Sequence, residues 1–347
     1  MGRHDCVVLY NAANLSEVEG SQEKIYPSTV LREEVGATEE SLREIGFNPY
    51  VLSVDHFSKE LVQTLAKIAP KFVFNLCEEI NGRSELEMCV AGLLDLMGIP
   101  YTGSGPMALG LALNKFHAKQ VLRAAALPSA RGYLHAPGLK PIRRGLRFPV
   151  IVKPAHEDAS LGINAGSVCH DNDRLEQQVA YIHRVYQQEA LVEEFLDGRE
   201  FNVSIIGPEP DVLAISEIDF GSLPEDEPRI VSYRAKWDEE SAAYCGTKPI
   251  CPAEIPKRLE KRIRDIALRS FRVVGCRDYG RVDMRTDVRG NPYVLEVNPN
   301  PDISPNAGFA RAARAAGFSY SDAISRIVQC ALERGAKTAT TVYAFQG

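Results

Sequence analysis

From Cys6 to Met97 the sequence alternates short apolar runs with longer amphipathic stretches, and this alternation leaves few ways to fold. Cys6–Tyr10, Tyr50–Val54 and Phe72–Leu76 have the length and apolar content of buried strands. Between and after them, Val30–Ile45, Leu61–Ile68 and Leu86–Met97 carry apolar residues at helical spacing. Gly46 stands where a helix C-cap belongs, and Gly98 with Pro100 stops the third helix. Strands that alternate with helices imply parallel β–α units, so the first stretch of the chain predicts a Rossmann-like α/β layer. A length of 347 residues leaves room for two or three domains.

The remainder predicts a helix over Asn114–Ala126, closed by Leu127-Pro128, and a strand over Arg147–Lys153. Residues 155–167 are small, polar and glycine-containing, as a loop requires. A helix at Asp173–Gln187 precedes strands at Ala190–Phe195 and Glu200–Ile206, which flank an Asp197-Gly198 turn. The proline-rich, charged segment 221–256 is expected to be an extended, partly mobile loop. Ile255–Val274 follows as an amphipathic helix capped by Gly275. A last helix is expected over Tyr320–Arg334, with the final dozen residues frayed.

Composition removes several function classes. A net charge of −6 argues against a nucleic-acid partner, which calls for clustered cations. The one basic run, Lys257, Arg258, Lys261, Arg262 and Arg264, is broken by Leu259 and Ile263 at helical spacing and suits a solvated helix face. No apolar run approaches the roughly 20 residues that span a bilayer, and Met1–Asp5 lacks a signal region. Eight cysteines without a Cys-x-x-Cys pair, some of them (Cys6, Cys89) in apolar surroundings, predict a reduced, cytoplasmic protein without a zinc site. Neither a Walker A string nor G-x-G-x-x-G occurs, and the missing glycines argue against a nicotinamide dehydrogenase.

The segment Asp278–Pro305 carries the chemistry. Tyr279–Arg285 and Tyr293–Val297 flank a turn at 287–292 that contains Gly290-Asn291. A turn centred between 289 and 290 sets Asp283 opposite Glu296 and Arg281 opposite Asn298. Residues two apart on a strand share a face, so the four side chains project together. Two carboxylates and an amide oxygen suit Mg²⁺, and an arginine fork suits phosphate oxygens. The same pattern fits a surface hairpin whose charges pair across strands equally well.

Flanking sequence favours the first alternative. The segments MGIPYTGSGPMALGLALNK (97–115), FPVIVKP (148–154), LVEEFLDGREFNVSIIG (191–207), GCRDYGRVDMR (275–285) and YVLEVNPNPDIS (293–304) resemble the ATP-grasp superfamily, specifically the D-alanine–D-alanine ligases. The match runs in the family's order from about residue 70 to 335. It implies an ATP-grasp fold preceded by a Rossmann-like N-terminal domain. That domain would span 1–112, a central grasp subdomain 113–196 and a C-terminal grasp subdomain with the metal site 197–335, leaving 336–347 as a tail. The resemblance further implies an ADP-forming ligase that joins a carboxylate to an amine through an acyl phosphate. Small molecules would be its substrates, with no nucleic-acid or membrane partner, and a homodimer is a common assembly in the family.

By the same resemblance, Lys115 and Lys153 contact ATP phosphates. Glu193, Glu194, Phe195 and Leu196 form the hinge that holds the adenine, and Glu200 holds the ribose. Asp283, Glu296 and Asn298 bind Mg²⁺ or Mn²⁺, while Arg281 steadies the acyl phosphate and the tetrahedral oxyanion. The loop His156–Gly162 covers the phosphates, with Ser160 and backbone N–H groups as donors. Ser232–Trp237 resembles the mobile lid, from which Lys236 reaches the phosphates.

The departures concern the substrate. Asn11–Glu17 lacks the family's glycines, Ala159 replaces one of two loop serines, and Trp237 replaces the lid tyrosine. Pro301-Asp302-Ile303-Ser304 replaces a serine-bearing segment, and Asp302 adds a carboxylate that favours a cationic or amine-bearing group. These changes point to a substrate other than a plain D-alanine pair, the alternative being a divergent D-alanine–D-alanine ligase. A non-catalytic nucleotide-binding regulator would have lost a metal ligand or Arg281, and none is lost.

Overall fold

In the computed structural model, residues 4–12, 28–139 and 145–344 are described, without the side chains of 28–30 and 338–344. The segment 13–17 of the Asn11–Glu17 stretch lies outside them.

Three sheets organise these residues. The first contains β1 (Cys6–Tyr10), β2 (Pro49–Ser53) and β3 (Phe72–Leu76) in the order β2-β1-β3, all parallel, as the alternation predicts. Alternate β1 side chains enter different cores: Cys6 and Val8 on one face, Val7 and Leu9 on the other. Helices α2 (Lys59–Ile68) and α3 (Glu87–Leu96) cover the second face, and α1 (Ser28–Glu44) contributes to the first. Burial on both faces explains why β1 and β3 are largely apolar, whereas the edge strand β2, expected to be buried, leaves Tyr50 and Ser53 exposed. Helices α4 (Pro106–Leu113) and α5 (Lys115–Ala124) lead out of this layer, Asn114 capping α5 by accepting from His117 N.

The second sheet, in the order β4-β7-β5-β6, joins β4 (Gly132–His135), β5 (Val150–Pro154), β6 (Val168–Cys169) and β7 (Ala190–Glu194) under α6 (Asn172–Tyr186). The third, in the order β10-β9-β8-β11-β12, joins β8 (Glu200–Ile206), β9 (Asp211–Asp219), β10 (Lys248–Ile250), β11 (Tyr279–Thr286) and β12 (Pro292–Asn298).

The segment 221–256 departs from its expected loop. It holds two short helices, α7 (Tyr233–Trp237) and α8 (Ala242–Gly246), besides β10. Ser232 and Ser241 cap these helices, a local signal that the segment's proline content conceals. Helix α9 (Lys257–Val274) packs Ile263, Ala267 and Phe271 against the third sheet and ends at Gly275 in the left-handed conformation. After α10 (Gly308–Ala315), α11 (Tyr320–Ala344) continues through the tail that composition suggests is frayed. Cys89, expected among apolar groups, is exposed, and no described helix is long and apolar enough to cross a membrane.

Gly280 lets β11 lie close to α9, because a Cβ there would meet Phe271 Cε2 at 2.8 Å and Asn298 O at 3.0 Å. Gly280→Ala is expected to cost about 1–3 kcal/mol through overpacking. Urea unfolding measures this, and an unchanged midpoint would show that β11 has room to move.

Candidate active site

Period-two geometry builds the site. On β11, Val282 and Met284 enter the core beneath α9, so Arg281, Asp283 and Arg285 face the other way and line a cleft. On β5 and β7, Val150, Val152, Ala190 and Val192 pack under α6, while Ile151, Lys153 and Glu193 line the same cleft. The cavity has a volume of about 1590 Å³. It brings together Lys153, Ser160, Glu193, Glu194, Phe195, Leu196, Glu200, Lys236, Arg281, Asp283, Glu296 and Asn298. Lys115 lies just behind the wall, its Nζ 3.5 Å from Glu296 Oε2.

The expected pairing of Arg281 with Asn298 and Asp283 with Glu296 is present, but it arises differently. Thr286 pairs with Pro292, which centres the turn on residue 289. A bulge then absorbs Leu295 and shifts the register by one residue before Glu296.

The cleft is dense in charge. Arg281 donates to both oxygens of Asp283 at 2.7 and 2.8 Å, and Asn202 Nδ2 donates to Oδ1 at 2.7 Å. Burial pushes the Asp283 carboxyl up even beside this arginine. Burial also acts on Glu296, but Lys115, Lys153 and Arg281 outweigh it and hold the group down at about 2. Lys115 donates to Glu157 O at 2.6 Å and Asp158 Oδ1 at 2.7 Å.

Glu193 is buried between two lysines, with Lys119 at 2.6 Å and Lys153 at 2.9 Å. Its carboxylate is therefore committed within the protein, and any adenine contact there falls to backbone groups and to the Phe195 and Leu196 side chains. Burial lowers Lys119 to about 8 against the pull of Glu193. Sequence reasoning missed Lys119, although it lies four residues beyond Lys115 on one helix and so on the same face. It also missed Arg285, two residues beyond Asp283 on the same strand face. Arg285 donates to Glu200 Oε2 at 3.1 Å. Burial outweighs Arg285 at Glu200, whose carboxyl is pushed up to about 7.

Loop and lid are joined. Ala159 and Ser160 are both left-handed, with φ of 54° and 63°, a strained pair at the turn of the loop. Gly162 has φ of 74°, and a Cβ there would meet Pro154 Cγ at 2.4 Å. Trp237 Nε1 donates to Ala159 O at 3.1 Å, and Tyr233 N donates to Ile163 O at 2.9 Å. Helix α7 thus docks on the loop and brings Lys236 to the cleft. Burial lowers Lys236, with Arg281 adding to the effect.

Comparison with known proteins gives the family. The family model described as D-ala D-ala ligase C-terminus matches residues 127–329, more than half of the chain. The chain belongs to the D-alanine–D-alanine ligase family. It is 34% identical over 257 residues to a D-alanine–D-alanine ligase of Alcanivorax borkumensis, covering 74% of this chain and 76% of that protein. It is 37% identical over 309 residues to the uncharacterized protein y4sG of Sinorhizobium fredii, covering 85% and 86%. The fold matches the D-alanine–D-alanine ligase of Bacillus anthracis complexed with ATP at a TM-score of 0.74 and 21% identity, covering 96% and 99% of the two chains. This member of the family is an ATP-dependent, ADP-forming carboxylate–amine ligase with the expected ATP-grasp fold behind a Rossmann-like layer.

The donor chemistry fits the ligands such a ligase needs. Asp283, Glu296 and Asn298 offer oxygens to a hard divalent cation, and Lys115, Lys153, Lys236 and Arg281 offer charge to phosphates. No group of three or more His, Cys, Asp or Glu that could hold a metal ion occurs among the described residues.

Glu193→Gln removes the anion between Lys119 and Lys153 and is expected to cost about 3–5 kcal/mol, as breaking a buried ion pair does. Guanidinium unfolding tests this, and a loss below about 1 kcal/mol, the scale of exposed pairs, would show that the lysines find water instead.

Proposed function

We propose that this ligase uses Mg²⁺-ATP to phosphorylate a small carboxylate and then joins the acyl group to an amine that is not D-alanine. One observation carries the reading: beside the Asp283–Glu296 pair, Lys115 lies 3.5 Å from Glu296, Arg281 donates to both oxygens of Asp283, and Lys153 and Lys236 line the same cleft. Such a cationic focus, with two carboxylates at its centre, is suited to phosphate oxygens and a divalent cation together. The cation, held by Asp283, Glu296 and Asn298, would neutralise charge on the transferring phosphoryl group.

The chain's own groups supply the remainder. Lys115, Lys153 and Lys236 draw phosphate oxygens into the cleft. Arg281, whose fork is aimed by Asp283, steadies the acyl phosphate and then the oxyanion. The loop 156–162 and α7 shield the acyl phosphate from water, Ser160 and backbone N–H groups serving as donors. Hinge residues 193–196 and Glu200 take the nucleoside. The functional division into 1–112, 113–196, 197–335 and a tail belongs to the same proposal, as does a cytoplasmic location, in keeping with eight unpaired cysteines.

The acceptor end supports a substrate other than D-alanine. Glu78, Glu87 and Asp302 all line this part of the cleft. Burial raises Glu87 to about 8 and raises Glu78 well above its ordinary value, with Glu87 and Asp302 adding to the effect at Glu78. Asp302 also accepts from Ser304 N at 2.8 Å and Ser304 Oγ at 2.5 Å, which fixes its carboxylate. A positively charged amine would favour the ionised form of these carboxyls and pair with it, so a diamine or a basic amino acid is the favoured acceptor class.

Phosphate release from Mg-ATP against D- and L-amino acids, diamines and small carboxylates tests the reading. Release that depends on one cationic amine, with the amide seen by mass spectrometry, is expected, and D-alanine alone sufficing would overturn the substrate assignment. In that assay Asp283→Asn is expected to lose at least a hundredfold in kcat while remaining folded, and wild-type turnover would remove the metal assignment.

Glu200 adds a pH dependence. Its carboxyl is pushed up to about 7, so the ionised form that accepts ribose hydroxyls grows as pH rises through neutrality. Affinity for ADP is expected to rise roughly fivefold to tenfold from pH 6 to 8, following ionisation, and to stay flat in Glu200→Gln. Equal slopes in the two proteins, measured by calorimetry, would count against the ribose contact.

A further inference from the structure

Lys115 already holds acceptors of its own. An ammonium has three donors, and three acceptors of this chain surround this one. Glu157 O lies at 2.6 Å, Asp158 Oδ1 at 2.7 Å and Glu296 Oε2 at 3.5 Å. The lysine side chain is only 5% exposed. For its Nζ to meet a phosphate oxygen, one of the three has to give way.

Two of them are held in place. Gln188 donates from Nε2 to Glu157 Oε1 at 2.7 Å and accepts from His156 N at 2.8 Å, which pins the start of the loop and with it Glu157 O. Glu296 is fixed on β12 by its ladder pairing with Asp283. Asp158 differs from both. Its side chain is 55% exposed, and among the described residues the hydrogen-bond partner of its carboxylate is Lys115. Water replaces a lysine at so exposed a carboxylate at little cost. The turn that follows keeps this aspartate at the cleft, with Leu161 N donating to Asp158 O at 3.0 Å and Ala159 and Ser160 both left-handed.

We propose that Asp158 is a built-in competitor for phosphate at Lys115. Nucleotide binding is then an exchange of anions, in which a phosphate oxygen takes the Lys115 donor and the Asp158 carboxylate turns to water. This rests on the nucleotide reading of the cleft. Lys115 stays paired while the cleft is empty, and Asp158 returns to it as the product nucleotide leaves, which favours release. The effect has the opposite sign from that of a structural contact. Removing a support weakens a ligand, whereas removing a competitor strengthens it.

Calorimetric titration with Mg-ADP tests the exchange without requiring turnover. Asp158→Asn keeps the size of the side chain and removes its charge. It is expected to bind Mg-ADP roughly tenfold more tightly than wild type, the scale of one charge-assisted hydrogen bond. Adenosine, which has no phosphate, is expected to bind the two proteins equally. In a Lys115→Met background, checked for folding by circular dichroism, Asp158→Asn is expected to change nothing, because no lysine is left to compete for. Unchanged or weaker Mg-ADP binding in Asp158→Asn would overturn the proposal and leave Asp158 as a support of the loop. Tightening of adenosine by the same factor would also overturn it, in favour of a rearranged loop. Equal tightening with and without Lys115 would replace the exchange by plain repulsion between Asp158 and the phosphates. Failure of wild type and Asp158→Asn alike to bind Mg-ADP would overturn the nucleotide reading itself.

Discussion

Two lysines on one helix turn hold the cleft together. Lys115 and Lys119 lie four residues apart on α5, which runs behind both sheets. Lys115 reaches Glu296 of the third sheet and Asp158 of the phosphate loop. Lys119 reaches Glu193 of the second sheet, which also takes Lys153. One buried helix face thereby ties the two walls and the loop to a common frame. Charges this deep keep their positions, because moving any one of them leaves its partner unpaired in a poorly solvated place.

That frame divides the cleft into regions of different electrostatic character. Around Glu296 the cations dominate, and its carboxyl stays ionised far below neutrality. At the other end, burial raises the Glu78 and Glu87 carboxyls, with Glu87 adding to the effect at Glu78. At the hinge end, Glu200 and Arg285 face each other in surroundings that burial makes unfavourable to both charges. One distribution of charge thus gives the cleft a cationic centre and a carboxylate-lined end. Helix α7, bound to the loop through Trp237 and Tyr233, closes the space between them.

Much of this was legible in the sequence because the signals are local. Strand alternation places Asp283 and Arg281 on one face of β11, and the Gly290-Asn291 turn joins the two strands. The pairing emerged correctly although the turn is centred on 289, since the Leu295 bulge compensates for the difference. Neither the bulge nor the short helices of 221–256 has a period long enough to read. Lys119 and Arg285 were within reach of the same spacing rules that found Lys115 and Asp283, but nothing local separates a buried lysine or arginine from a solvated one.

The sequence by itself determined the order of elements, the faces of β5, β7 and β11 that turn toward the cleft, and the family. Each depends on periodicity or on motifs within a few residues of chain. Only the tertiary structure decided which charges meet. Glu193 lies between Lys119 and Lys153 across gaps of 74 and 40 residues, and Arg285 meets Glu200 across 85. Those meetings set the protonation of each group, because burial and neighbouring charge are properties of the packed molecule and not of the chain.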